Sequence, residues 1–198
     1  GWLRVRDERG HEMLDAGASD AFAVADHQVA DVYVRDPALV PKVAERLAAM
    51  PEVEQVLDRE QRVAMGIDHE RSGELLLVAR RGAWFAYDYW LDDARAPDFA
   101  RTVDIHRKPG YDPRELLLDP SRPLIKAGIA WRLLRKRLGF RTLMDVIPLD
   151  ASLVRGSHGR VDQPEPERPI LISDADLGRG GEHDAEAIDA TAIHDLVL

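Results

Sequence analysis

The sequence predicts an α/β protein, and three observations carry that expectation. Val-, Phe- and Tyr-rich runs with strand composition recur in its first half; a capped amphipathic helix stands between two of them; and a longer helical pattern further on ends at a glycine.

The opening "GWLRVRDERG" reads as the end of a helix running into a strand. "AFAVADHQVADVYV", residues 21–34, reads as strand with an interruption at Asp26, His27 and Gln28. In "RDPALVPKVAERLAAM", Asp36 is an N-cap and Pro37 takes the first helical position, where its missing N–H loses nothing. Leu39, Val40, Val43, Leu47 and Met50 then share one face. "VEQVL", residues 53–57, follows as a short strand and completes a β-α-β subregion. "GELLLVARRGAWFAYDYW" reads as a hairpin turning at Arg80, Arg81 and Gly82, its aromatic residues serving packing rather than base stacking.

Residues 91–111 are rich in Asp, Arg, Pro and Gly, which is loop composition. "DPRELLLD" restarts a short helix capped by Asp112. "LIKAGIAWRLLRKRLG" predicts a longer one, with Ile125, Ile129, Leu133, Leu134 and Leu138 as its buried stripe and Gly139 as its stop. Its cations crowd the last turns, where they favour the negative end of the helix dipole, so they read as a solvated face and not as a nucleic-acid site. "VDQPEPERP" reads as a linker, "ILIS" as an edge strand, "DLGRGGEHD" as loop and "DATAIHDLVL" as a terminal helix.

Composition narrows the chemistry. A formal charge of −9 argues against generic binding to nucleic acid or to an anionic membrane surface. No apolar run approaches the roughly 18 to 20 residues of a membrane span, and no signal peptide is visible. With no cysteine, a metal site must use His, Asp or Glu, and a reducing cytoplasm is the expected setting. The chain begins without Met, which reads as a piece lacking its N-terminal part.

Three stretches carry residues able to do chemistry. In "LVRGSHGRV", His158 stands between glycines that let backbone and an ion or phosphate approach closely, though the same pattern makes an ordinary surface turn. Asp26 and His27 are adjacent, so on a strand they point to opposite faces; both reach one ion only where the strand ends or bends, and otherwise form a solvent-facing pair. "DIHRKPGYDP" gathers Asp104, His106, Arg107, Lys108, Tyr111 and Asp112, the composition of a polyanion-handling loop or of a solvated turn. His69, His183 and His194 receive no role. No Gly-rich phosphate loop, nucleophile elbow or HExxH motif is present.

The order "ADHQVADVYV … SGELLLVARRGAWFAY … DIHRKPGYDP … DVIPLDASLVRGSHGR" resembles the carboxyl-terminal part of the alkaline phosphatase superfamily, in its type I phosphodiesterase/nucleotide pyrophosphatase branch. The resemblance implies a mixed sheet flanked by helices, with residues 1–160 as the C-terminal part of the catalytic domain and 161–198 as linker, edge strand and terminal helix of that domain. It implies two divalent ions, zinc, with His158 a ligand of one and the Asp26–His27 pair on the other. The family pair sits in a "DHG" turn, where this chain has "DHQ".

His106, Arg107, Lys108 and Tyr111 are then the expected contacts to a phosphate-ester small molecule. The implied activity is hydrolysis of phosphodiester or pyrophosphate bonds by a threonine or serine nucleophile. That nucleophile is expected upstream, which leaves this chain alone inactive. Two alternatives remain: a superfamily relative acting on phosphomonoesters, phosphonates or sulfates, and a non-catalytic interaction module.

Overall fold

The computed structural model describes residues 1–160, 168–172, 188 and 192–194. The chain divides into two compact units, Gly1–Val161 and Asp162–Leu198. Among the described residues no helix is long and apolar enough to cross a membrane.

The first unit is α/β, with two antiparallel sheets and few helices. Strands β1 (Val5–Glu8) and β2 (His11–Leu14) form a small hairpin. Arg9 and Gly10 join them with φ of 57° and 88°, the two left-handed positions of a turn whose twist matches the strands it connects. The expected helix end is therefore a strand.

The main sheet has the order β3-β4-β6-β5. β3 (Ala21–Asp26) and β4 (Val29–Val34) pair antiparallel from Ala21↔Val34 to Asp26↔Val29, so the interruption seen in the sequence is a two-residue turn made of His27 and Gln28. Asp36 accepts a hydrogen bond from the Ala38 amide, opening a 3₁₀ turn that runs into α1 (Val40–Ala48). α1 crosses to β5 (Val53–Leu57). β6 (Leu75–Ala79) then inserts between β4 and β5, antiparallel to both, which makes this a split β-α-β unit. Between β5 and β6 lies α2 (Arg59–Ala64), opened by a capping box in which Asp58 and Gln61 bond each other's backbone amides. The sequence predicts no element here, because a six-residue helix carries too little apolar periodicity to be recognised.

Alternation fixes which face is inside. Ala30, Val32 and Val34 of β4, together with Leu75 and Leu77 of β6, are buried under Val43 of α1, with Leu39, Val40 and Leu47 packed around them. Met50, the last residue of the predicted face, is exposed.

Residues 84–90 do not form the second strand of a hairpin. β6 has β4 on one edge and β5 on the other, so no ladder position is left for them. Their aromatic rings build a second core instead: Tyr87 and Trp90 pack with Phe99, Ala100 and Leu149, and Phe85 touches both cores.

A buried ionic network holds this second core. Arg114, completely buried, forks onto Asp88 at 2.6 and 2.8 Å and donates to Asp112 at 2.8 Å and to the Leu149 carbonyl at 2.7 Å. Although burial opposes its charge, these bonds keep the guanidinium ionised. Burial, with Asp112 next in effect, pushes the Tyr87 hydroxyl well above the usual phenol range.

The long helix α3 (Ile125–Arg137) forms and stops at Gly139, φ 86°, where Gly139 and Phe140 return amides to Lys136 and Arg135. Its predicted buried stripe is not buried: no residue of α3 is, and Leu133, Leu134 and Leu138 are exposed. The half-buried side is Ile125, Gly128, Ile129 and Arg132, with Arg132 bonded to Asp145 at 2.6 Å. Residues 170–172 of the second unit carry no strand. His183 and most of the expected terminal helix fall outside the described residues.

Candidate functional site

The site is built on the turn between β3 and β4. His27 adopts φ 53°, a left-handed conformation that costs a non-glycine residue about 1–2 kcal/mol. Such strain persists only where surrounding contacts over-determine it. Those contacts are present: the Phe85 amide donates to the His27 carbonyl at 2.7 Å, the Ala79 amide to the Gln28 carbonyl at 2.8 Å, and the Gln28 amide to the His158 carbonyl at 2.9 Å.

The last bond joins the two histidine-bearing turns singled out in the sequence, and 130 residues of chain separate Ser157 from His27. The two imidazole rings lie against each other in a tilted arrangement, with centroids 3.9 Å apart and planes inclined by 32°. Gly159 turns the chain here at φ 119°, a backbone conformation that residues with a side chain rarely adopt. Arg160 fixes the end of that turn, forking onto Glu54 at 2.6 and 3.0 Å and donating to the Ala79 carbonyl at 2.6 Å.

A third segment arrives from the loop after Arg101. Gly110 approaches β3 so tightly that a β-carbon would sit 2.2 Å from the Ala25 carbonyl oxygen, and its φ of 118° is a glycine conformation. The Tyr111 amide then donates to that carbonyl at 2.8 Å, and the phenol ring stacks on His27 with centroids 4.6 Å apart. His27 is thus enclosed by His158 on one face and Tyr111 on another. Ser157 lies 3.3 Å from its Nδ1. Burial, reinforced by the neighbouring His158, pulls the His27 pKa below the ordinary histidine value, while Asp26 acts weakly against this.

The expected site residues separate into two groups. His27, His158 and Tyr111 come together, and Asp26, exposed at the end of β3, is next to them in the chain. The strand does turn at this pair, the condition under which both side chains reach one ion. His106 is exposed on its loop, and Arg107 pairs with Asp98 at 2.8 Å and lies over the Phe99 ring. Lys108 points inward: its ammonium is fully buried between Asp112 at 3.0 Å and Glu115 at 2.7 Å. Its charge is neutralised within the protein and anchors the loop carrying Tyr111.

Ser157 and Arg160 escaped sequence reading. Both flank His158, but nothing local in "RGSHGR" shows that one reaches His27 and the other Glu54.

Two imidazoles with a neighbouring carboxylate suit a divalent ion of zinc type, which takes nitrogen and oxygen donors without requiring thiolate. The fit is partial. Among the described residues no group of three His, Cys, Asp or Glu side chains is gathered closely enough to hold an ion alone.

No curated protein and no solved structure matches the chain significantly. The family described as type I phosphodiesterase / nucleotide pyrophosphatase matches residues 1–112, more than half of the chain. That span contains Asp26, His27 and the loop through Tyr111, and ends before His158. The chain belongs to the type I phosphodiesterase/nucleotide pyrophosphatase family, a group of phosphodiester- and pyrophosphate-bond hydrolases.

Proposed function

We propose that residues 1–160 form part of the catalytic domain of a metal-dependent hydrolase acting on phosphodiester or pyrophosphate bonds of small phosphate esters. The observation that supports this most is the meeting of His27 and His158 from distant parts of the chain, at a turn whose strain several separate segments maintain. In this reading His158 ligates one of two zinc ions, and His27 with Asp26 ligates the other. A pair of divalent ions stabilises the attacking and leaving oxygens of an in-line displacement at phosphorus.

The protein's own residues have distinct tasks. Ser157 holds Nδ1 of His27, which leaves Nε2 as the metal-facing nitrogen. Tyr111 and His158 fix the ring plane from either side. The phenol of Tyr111 is the contact offered to substrate from the loop, while Lys108 secures that loop from within. The absence of cysteine agrees with action in a reducing cytoplasm.

Zinc titration of the 198-residue chain by calorimetry tests the reading. Zinc binds the unaltered chain weakly, as a donor set of two imidazoles and one carboxylate requires, and raises its melting temperature, because a ligand that binds only the folded state stabilises it by mass action. His158→Ala and His27→Asn each weaken binding at least tenfold while keeping the circular dichroism of the parent. Zinc affinity unchanged by both substitutions, or no zinc binding by the parent, overturns the assignment.

A further inference from the structure

Helix α3 carries a surface that the proposed hydrolase site does not use. From Leu124 to Met144 the chain has six basic residues and no acidic one, against a whole-chain charge of −9. The side turned to the body is Ile125, Gly128, Ile129 and Arg132. Opposite them, Ala127, Trp131, Leu134 and Leu138 recur at i, i+4, i+7 and i+11, a single stripe on the outward face of a helix of 3.6 residues per turn. The stripe is open: Trp131 is 58 % exposed and Leu138 64 %. Beyond the glycine stop, exposed Phe140 continues it at the helix end, with the Arg135 guanidinium over its ring. Helical periodicity places Arg135 and Arg137 on either flank of the stripe.

We infer that this face binds an anionic lipid interface, with α3 lying in the headgroup plane, Trp131, Leu134 and Leu138 entering the acyl boundary, and the flanking arginines meeting lipid phosphates. Apolar residues also occupy the side of α3 turned to the body, so it is the outward surface alone, a tryptophan and two leucines with arginines on their flanks, that suits a headgroup layer. A nucleic-acid backbone calls for cations without a central apolar stripe, and a twofold pairing of two copies through this face would set arginines against arginines. Net charge predicts no membrane attraction for the chain as a whole, but screening confines each charge's influence to about 8 Å at physiological salt, so the local basic surface decides.

Co-sedimentation of the whole chain with vesicles tests this. Equimolar phosphatidylglycerol and phosphatidylcholine vesicles bind it, phosphatidylcholine alone binds at least tenfold more weakly, and raised salt releases it. Arg135→Glu with Arg137→Glu reduces binding at least tenfold, as does Trp131→Ser with Leu134→Ser; Trp131→Phe restores most of it. The altered side chains are exposed, so melting curves of these variants match the parent. Four results overturn the proposal: no binding to the anionic vesicles; binding unchanged by the serine pair, which marks a bare charge patch; equal binding to soluble polyglutamate; or self-association in sedimentation velocity that the serine pair abolishes.

Discussion

The imidazole of His27 lies against that of His158 with 3.9 Å between ring centroids, and Tyr111 stacks on the same ring. A positive charge on His27 has little water to solvate it, and its pKa falls through burial and then through its neighbour His158. The sign follows from linkage. With the folded pKa below the unfolded value of 6.5, the unfolded chain takes up the proton first, so stability declines as pH drops through 6.5 and stops declining once the folded group also titrates. In metal-free buffer the melting temperature therefore falls as pH drops through 6.5, above the range, centred at about 4, where ordinary carboxylates titrate. His27→Asn, which tolerates the left-handed backbone, flattens that stretch of the curve; a slope as steep as the parent's refutes the account.

Gly110 sets the approach of the tyrosine loop to β3. Alanine there meets the Ala25 carbonyl at an impossible distance and takes on an unfavourable φ. Gly110→Ala loses about 2 kcal/mol or more of stability, combining backbone strain with displacement of the loop. That corresponds to a fall of roughly 4–8 °C in melting temperature for a chain of this size. Separation of the two rings also quenches the nuclear Overhauser contacts between Tyr111 and His27, and their survival would show that the loop seats without the glycine.

Much of this architecture was legible where one local rule suffices. The break at Asp26–Gln28 announced the turn between β3 and β4, the Asp36–Pro37 pair announced α1, and residues 53–57 form β5 with the predicted bounds. What failed needed knowledge of partners. Residues 84–90 have strand composition, yet both edges of β6 are taken by strands reached through longer connections. On α3 the first part of the expected face, Ile125 and Ile129, does turn inward, while Leu133, Leu134 and Leu138 are exposed, because apolar residues occur on opposite sides and Arg132, bonded to Asp145, shares the inward side. In "HRKPGYDP" the sequence shows its polar groups without saying that Lys108 faces in and Tyr111 faces His27.

Removing one buried cation from the network around Arg114 leaves one carboxylate without a cation and Asp112 with one of its two. Lys108→Met strands Glu115, and Arg114→Met strands Asp88, while Asp112 keeps the remaining cation in each case, so each loses about 3 kcal/mol, the lower end for breaking a buried pair. Urea denaturation followed by circular dichroism measures it. Lys108→Met at parental stability would show that the lysine leaves this network in solution, which would return it to the candidates for substrate contact.

Arg160 is the residue through which the fold controls where His158 stands. Its fork onto Glu54 and its bond to the Ala79 carbonyl tie the glycine-flanked turn to the adjoining ends of β5 and β6, and Glu54 is held below the ordinary carboxylate range by that guanidinium. The tie lies outside both hydrophobic cores, but the Arg160 side chain is nearly buried and bonds the carbonyl of buried Ala79, so Arg160→Ala lowers stability by about 1–3 kcal/mol. A further effect falls on the site: the His158 ring gains freedom, and zinc affinity drops by about tenfold, the lower end of what loss of a supporting partner does to a metal ligand. Arg160→Lys keeps the charge and loses the fork, so it recovers only part of that affinity. Calorimetric titration of both variants beside Glu54→Gln separates the contributions. Equal zinc affinity in all three and in the parent would mean that the hydrogen bond from the Gln28 amide to the His158 carbonyl positions the turn unaided.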